Sequence, residues 1–325
     1  MEGLPEAGCL LVAVTTPLTP DFHPDIPRLL GRIDQLTALG CDGVTLFGTT
    51  GEGAEFSVED RMSTLEQVIA GGLDASRIVV SVGALSFPDV ARLASHATQL
   101  GVHGVLLMPP CVYRGGITDD GTFRFFRAVI ERVANADLRL YLYHFPDICG
   151  VRVTPNVIRR LDERYPGTIA GVKDSGGDID FTLDMARRFS HLSIFTGSEI
   201  HLPELLTVGI RGTICGLANV MPRLLRSMID QPTGFDRRAL LPHILRGDAI
   251  LSRSQFIPSA KSVVAEWLND AQWRRVIPPL PEIPAIERQR MTADFLAWDA
   301  TLPEGLSSLA RPIAHTTNVV GFRRA

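Results

Sequence analysis

Short apolar runs recur eight times along the first two thirds of the chain, and each is followed by a segment whose apolar residues have helical spacing. Several runs are continuous rather than alternating, as in RIVVSVG and GVLLMPP, which is typical of parallel strands covered on both faces. We therefore predict eight strands, at residues 10–14, 43–47, 78–82, 105–108, 138–143, 169–172, 193–195 and 212–215.

Helix signals fall between these runs. Ser57 stands three residues before Asp60, as an N-cap residue does before an acidic one, and Thr154 precedes Pro155, which suits a first helical position. Residues 178–189 and 222–229 are also predicted to be helical. Glycines that adopt a left-handed conformation commonly end helices, and three stand just before predicted strands: Gly40, Gly101 and Gly209.

Eight strand–helix pairs over about 220 residues are the number and scale of a (β/α)8 TIM barrel. A doubly wound sheet is the alternative, although no G-x-G-x-x-G pattern follows the first strand. After residue 221 the pattern predicts only helices, at 237–251, 258–276 and 284–301. We predict a barrel over residues 1–225, a helical extension packed on it over 226–310, which helps to form an oligomer interface, and a surface tail over 311–325.

Composition excludes several classes of function. The 325 residues include 32 basic and 36 acidic side chains, and a net charge of −4 does not indicate a nucleic-acid or membrane partner. No apolar stretch approaches the roughly 18–20 residues of a membrane span, and the first 18 residues predict a buried strand rather than a signal peptide. The five scattered cysteines predict reduced core residues in a cytoplasmic protein.

Catalytic groups of a TIM barrel lie where strands end and loops begin, at the carboxyl-terminal face. The predicted strand ends therefore carry the informative residues. These are GTTGE at 48–52, YHFP at 143–146, GVKD at 171–174, TGSE at 196–199 and ICG at 214–216.

Lys173 is the most informative of these residues, because the chain has only one other lysine, Lys261 in the helical extension. Partial loss of hydration at the end of a strand favours a neutral amine. A neutral amine attacks a ketone carbon and forms an iminium, which serves as an electron sink. The alternative is a structural lysine paired with Asp174 or Glu199, and position alone does not separate the two interpretations.

Tyr143 ends the predicted strand next to that of Lys173, and a phenol beside an amine can relay protons; a packing role in the barrel core or rim is the alternative. The 48–52 turn offers backbone amides and the Thr49 and Thr50 hydroxyls to a carboxylate, although it is also typical of a tight βα loop. We expect Glu52 to brace this turn. Ser175–Gly176–Gly177 is interpreted as a loop capped by Asp178 rather than as a phosphate site.

No metal or organic cofactor is predicted. The histidines lack H-x-x-x-H or any other metal spacing: His23, His96, His103, His144, His191 and His201 are among them.

Together, GTTGE after strand two, Y-x-x-P after strand five and G-V-K-D after strand six resemble the dihydrodipicolinate synthase / N-acetylneuraminate lyase family. The resemblance covers roughly residues 8–300. It implies a class I aldolase or lyase on a TIM barrel that works through a pyruvate Schiff base without a cofactor. It also implies a homo-oligomer, either a tetramer or a dimer of dimers.

Carried over residue by residue, Lys173 resembles the imine-forming lysine, Tyr143 the proton-relay tyrosine, and Thr49 its relay partner. Thr49 and Thr50 match the pair that receives the pyruvate carboxylate, and we add Gly48 from the same turn to the substrate-binding candidates. Two further positions match the lining of the family's pyruvate pocket, Gly197 and Ile214.

Two departures concern the second substrate. The family's synthases carry an arginine after Y-x-x-P, where this chain has Asp147, Ile148 and Cys149. Their relay tyrosine after strand four falls on Val112 here, with Tyr113 one place away, so Tyr113 is the substrate-binding candidate. Two arginines are candidates to replace the missing charge, Arg114 and Arg152.

We therefore predict a lyase, aldolase or dehydratase that handles pyruvate or a related 2-keto acid, with a sugar acid or an aromatic keto acid as substrate. The alternatives are 4-hydroxy-tetrahydrodipicolinate synthase, which condenses pyruvate with aspartate semialdehyde, and a non-catalytic barrel that binds a keto acid. A phosphate-binding or metal-dependent barrel enzyme is the third.

Overall fold

The computed structural model describes residues 3–113 and 116–309. Eight parallel strands form a closed barrel in chain order, because the last strand pairs with the first. The strands are β1 (Cys9–Ala13), β2 (Gly43–Leu46), β3 (Ile78–Ser81), β4 (Gly104–Leu107), β5 (Leu140–His144), β6 (Ile169–Asp174), β7 (Ser193–Thr196) and β8 (Gly212–Cys215). The predicted (β/α)8 barrel is confirmed, and closure of the sheet excludes the doubly wound alternative.

Strand positions agree with the predicted runs to within two residues at each end. The largest difference at a carboxyl end is in β6, which continues two residues beyond the predicted end at 172. Lys173 and Asp174 therefore lie inside the last paired stretch of β6, where they pair with Tyr143 and His144 of β5. Neither Lys173 nor Tyr143 is the final residue of its strand; each is the one before it.

Helices follow the strands in alternation. Those of the barrel are α1 (Ile26–Ala38), α2 (Val58–Ala70), α3 (Phe87–Gln99), α4 (Asp119–Val133), α5 (Pro146–Cys149), α6 (Pro155–Arg164), α7 (Ile179–Arg188), α8 (Leu202–Leu205) and α9 (Pro222–Asp230). The predicted caps are present, since the Ser57, Thr154 and Asp178 side chains accept hydrogen bonds from backbone amides of the first helical turn. Gly40 ends α1 with φ at 100°, a conformation that suits only glycine.

Two apolar layers hold the barrel together. One fills the inside of the sheet with side chains that include Leu11, Val79, Leu106, Tyr141 and Phe195. The other lies between the strands and the surrounding helices. Since both faces of each strand are buried, the continuous apolar runs follow directly from the architecture.

The helical extension contains α10 (Gly234–Leu251), α11 (Phe256–Leu268) and α12 (Ala285–Asp299). The predicted single helix over 258–276 was wrong at its end: Asn269 is left-handed with φ at 51°, and Asp270 caps a separate short turn at 271–274. The division at residue 225 stays a prediction, and the predicted tail at 311–325 lies outside the described residues. No helix in the described ranges is long and apolar enough to cross a membrane.

Candidate active site

Lys173 and Tyr143 meet at the carboxyl-terminal end of the barrel. Their positions on β5 and β6 are direct partners in the strand register, so the two side chains point to the same face. The Lys173 Nζ donates a hydrogen bond of 3.2 Å to the Tyr143 hydroxyl and lies 4.3 Å from the centre of its ring. Only 5% of Lys173 is exposed. An amine and a phenol therefore share one largely dry position.

Asp174 is engaged elsewhere. Its carboxylate accepts hydrogen bonds from the Thr182 hydroxyl at 2.5 Å and the Gly176 amide at 2.8 Å. Because Asp174 is the next residue along β6, its side chain points away from the face that carries Lys173. Among the described residues Lys173 has no ion pair, with Asp174 or with Glu199, and this weakens the structural alternative for the lysine.

A cavity of about 360 Å³ opens beside this lysine. It collects four of the residues predicted from the sequence to bind substrate or relay protons, namely Thr49, Thr50, Gly197 and Ile214, together with Lys173 and Tyr143. Its other lining residues are Phe145, Ile148, Ser175, Glu199, Cys215, Gly216, Leu217, Asp248, Gln255, Phe256, Ile257 and Leu280. The predicted site residues therefore form a third of the cavity lining, and the remaining wall comes from other residues at the strand ends, from loops and from the helical extension.

Gly197 is glycine for a steric reason. A Cβ at this position would lie 2.1 Å from the Ser175 Oγ and 3.3 Å from the Lys173 Cε. The backbone of the loop after β7 thus approaches Ser175 and Lys173 so closely that a side chain at this position would displace the Ser175 hydroxyl.

The turn after β2 is organised by its own backbone. The amides of Gly51 and Gly53 both donate to the Gly48 carbonyl, and the Glu52 amide donates to the Thr49 carbonyl. Within the described residues, the amides of Thr49 and Thr50 have no such bond and lie at the cavity, as a carboxylate-binding turn requires. Gly48 itself is buried beneath the turn and does not line the cavity.

Glu52 braces the turn through a partner that the sequence did not reveal. Its carboxylate accepts a hydrogen bond from Lys261 Nζ at 2.5 Å and another from the Ile277 amide at 2.6 Å. Both side chains of the ion pair are fully buried. Burial lowers the pKa of Lys261, and the attraction of Glu52 acts in the opposite direction. The helical extension is thereby tied to the loop that carries Thr49 and Thr50.

The cavity wall formed by β7, β8 and α10 is acidic. Burial raises the pKa of Glu199 from 4.5 to about 7, with a smaller contribution from the nearby charge of Asp248. The Glu199 carboxylate accepts a hydrogen bond from the Cys215 thiol, whose own pKa is raised well above its usual value mainly by burial. Burial also raises the pKa of Asp248. Glu199 stands at a predicted strand end, but Asp248 lies in a helix whose sequence gives no sign of the cavity.

The structure does not bring every predicted residue into the cavity. Tyr113 is 66% exposed in a short turn at 111–113 and does not line the cavity, and the neighbouring Val112 is exposed as well. Arg152 lies over the ring of Phe181, 5.8 Å from its centre, rather than in the cavity wall. Arg114 lies outside the described residues. No three His, Cys, Asp or Glu side chains of the described ranges form a group that could hold a metal ion.

The fold and this geometry define a barrel enzyme of the imine-forming kind, with one buried lysine and one tyrosine at the mouth of a closed parallel sheet. The chain belongs to the dihydrodipicolinate synthetase family, whose model matches residues 6–241. This family consists of lyases that form a lysine–pyruvate Schiff base, so the predicted class of enzyme is confirmed.

Individual relatives are moderately similar. An uncharacterized DapA-like lyase of Chloroflexus aurantiacus is 34% identical over 68% of this chain and 73% of its own length. The crystal structure of dihydrodipicolinate synthase from Agrobacterium tumefaciens is 31% identical, with a TM-score of 0.81 over 89% of this chain and 99% of that one. YagE, a prophage protein of the same family from E. coli K12 solved in complex with pyruvate, shares the fold. Its TM-score is 0.80 at 20% identity, over 89% of this chain and 98% of that one.

Proposed function

We propose that Lys173 is the imine-forming residue of this enzyme and that its substrate is pyruvate, or a 2-keto acid that yields pyruvate. The observation that carries the proposal is the buried contact of Lys173 Nζ with the Tyr143 hydroxyl inside the cavity. The adjacent phenol supplies a partner for proton transfer. The pyruvate bound to YagE supports the choice of keto acid.

The chemistry requires no group beyond these side chains. The Lys173 amine attacks the carbonyl carbon of the keto acid, and the carbinolamine loses water to give an iminium. In the cleavage direction, the bond between C3 and C4 breaks, its electron pair moves to the iminium, and the C4 hydroxyl gives up its proton as the aldehyde leaves. The resulting enamine takes a proton at C3, and water hydrolyses the iminium to release pyruvate and free Lys173. Tyr143 carries protons in these steps, with Thr49 as its relay partner.

The keto-acid carboxylate binds at the turn after β2. Thr49 and Thr50 line the cavity, and their amides have no backbone partner in the described residues. Gly197 and Ile214 bound the same pocket. Gly48 supports the turn from below, and Tyr113 contributes to substrate binding from the surface of a neighbouring subunit.

The compound that the enzyme converts to pyruvate is a sugar acid or an aromatic keto acid. A second candidate, 4-hydroxy-tetrahydrodipicolinate synthase, is favoured by the 31% identity to the Agrobacterium enzyme. Against it stand Asp147, Ile148 and Cys149, which occupy the segment where the synthases carry their carboxylate-binding arginine. Arg152 lies over Phe181, and this position does not supply the missing charge.

A homo-oligomer and a cytoplasmic location are part of the proposal. Large apolar side chains are exposed in the segments that follow β3 and β4, among them Leu85, Val112, Tyr113 and Ile117. A contiguous subunit contact would bury such residues. Free thiols at all five cysteines support a reducing compartment.

The test is a substrate screen with Lys173→Ala as the control. Pyruvate release is measured from 2-keto-3-deoxy sugar acids and from benzylidenepyruvates, and condensation of pyruvate with aspartate semialdehyde is measured in parallel. We expect release from one of the first two classes and none with Lys173→Ala. Efficient turnover of aspartate semialdehyde would establish the synthase instead, and activity retained by Lys173→Ala would refute the imine.

A further inference from the structure

Two carboxyl groups line a part of the cavity wall that has no role in the proposed imine chemistry. Glu199 follows β7 in a short turn at 199–201, and Asp248 lies near the end of α10. The preceding residue, Gly247, allows α10 to approach both α12 and the start of α9, since a Cβ there would lie 2.5 Å from Trp298 and 2.7 Å from Met221. The packing of the extension thus presents Asp248 to the same cavity as Lys173.

These carboxyls have unused capacity to accept hydrogen bonds. Glu199 accepts from its own backbone amide, from the Cys215 thiol and from the Leu217 amide. Asp248 accepts a long bond of 3.5 Å from the Ser252 hydroxyl, and its second carboxylate oxygen has no described partner. A carboxylate has about four acceptor positions, so donors on a ligand would complete this wall.

The charge of the wall limits which ligands fit. Among the described residues that line the cavity, Lys173 is the only cation, and the imine with the keto acid uses it. An aldehyde that carries a carboxylate or a phosphate would face Asp248 and, above about pH 7, an ionised Glu199 as well. A like charge placed in a partly buried site is a strong means of rejecting a substrate.

We infer that Asp248, together with Glu199, selects an uncharged, hydroxyl-bearing aldehyde as the second substrate and rejects aldehydes with an anionic group. The inference rests on the proposed imine chemistry. It narrows the class of substrate from sugar acids or aromatic keto acids to sugar acids without a phosphate. Hydroxyl groups donate to the two carboxyls, whereas a phosphate is repelled and an aromatic ring leaves the acceptors without partners.

The experiment compares three aldehydes in condensation with pyruvate: glyceraldehyde, glyceraldehyde 3-phosphate and benzaldehyde. We expect the highest kcat/KM for glyceraldehyde. Asp248→Asn should raise kcat/KM for the phosphate relative to glyceraldehyde by roughly tenfold or more, because one like charge is removed. Glu199→Gln is the second variant and should act in the same direction, most strongly above pH 7. Asp236→Asn removes the same charge from the first turn of α10, outside the cavity lining, and should leave the ratio unchanged.

Trapping of pyruvate at Lys173 distinguishes failure of the proposed imine chemistry from failure of the proposed aldehyde selection. If no imine forms in the parent enzyme, the proposed function fails and this inference fails with it. If the imine forms but glyceraldehyde 3-phosphate or benzaldehyde reacts as well as glyceraldehyde, only the inference is overturned. An unchanged ratio in both Asp248→Asn and Glu199→Gln would overturn it as well.

Discussion

The buried pair of Lys261 and Glu52 gives a prediction whose magnitude follows from the structure. Lys261→Met removes the cation and leaves the Glu52 carboxylate buried with the Ile277 amide as its remaining donor. Removing one member of a fully buried ion pair costs about 3–5 kcal/mol, because an uncompensated charge stays inside the protein. For a chain of this length, that loss lowers the melting temperature by roughly 4–7 °C. The same change loosens the turn that carries Thr49 and Thr50, so KM for the keto acid should rise.

Thermal melting and steady-state kinetics at constant protein concentration provide the assay. Arg274→Met is the matched control, since Arg274 contacts Glu266 of the same helix as Lys261 but both side chains are 36% exposed. An exposed pair contributes about 0–1 kcal/mol, and the control should melt close to the parent. The double variant Lys261→Met with Glu52→Gln should recover most of the loss, because no ionised carboxylate remains buried.

A Lys261→Met protein that melts within about 1 °C of the parent would show that the buried ion pair does not stabilise the fold. A double variant that loses as much stability as the two single variants together would show that the two residues do not interact. A stable Lys261→Met protein with unchanged KM would show that the extension does not position the turn.

Three further outcomes follow from the site. Gly197→Ala should cut the trapping of pyruvate by roughly tenfold or more, because the new Cβ meets Ser175 and Lys173, whereas Gly83→Ala, which meets no atom within 4 Å, should not; equal yields would contradict this. Tyr143→Phe should lower kcat by roughly 10²–10³ in steady-state assays; an unchanged kcat would remove the phenol from the mechanism. The parent should be most stable relative to Glu199→Gln below pH 4.5, and this difference in the free energy of unfolding should decline as pH rises through about 7, because the folded protein holds the Glu199 proton more tightly than the unfolded chain does. Chemical denaturation at several pH values measures the difference. A difference that grows with pH would be inconsistent with a raised pKa of Glu199.

The architecture was predictable because every level of the pattern agrees. Continuous apolar runs, caps such as Ser57 and Thr154, and helix-ending glycines such as Gly40 all indicate the same alternation of strand and helix. The error at 258–276 had a local cause: Asn269 adopts a left-handed conformation, which a periodic pattern does not reveal. The carboxyl end of β6 was misjudged because a polar pair, Lys173 and Asp174, continues a buried strand.

The site was predictable only where it lies at strand ends. Lys173, Tyr143, Thr49 and Thr50 follow apolar runs, and the rule that barrel enzymes act at this face locates them together. Lys261 and Asp248 were not predictable, because they reach the site through the packing of α10 and α11 rather than through any local pattern. Tyr113, taken from the resemblance, lies on the surface of the single chain.

Reduction with borohydride in the presence of pyruvate tests the central proposal most directly. The chain contains only two lysines, and Lys261 is fully buried in its pair with Glu52. Peptide mass analysis can therefore assign the adduct without ambiguity. We expect the mass of one reduced pyruvate adduct on the peptide that contains Lys173, and no adduct with Lys173→Ala. An adduct on Lys261, an adduct that persists in Lys173→Ala, or an unmodified Lys173 would contradict it.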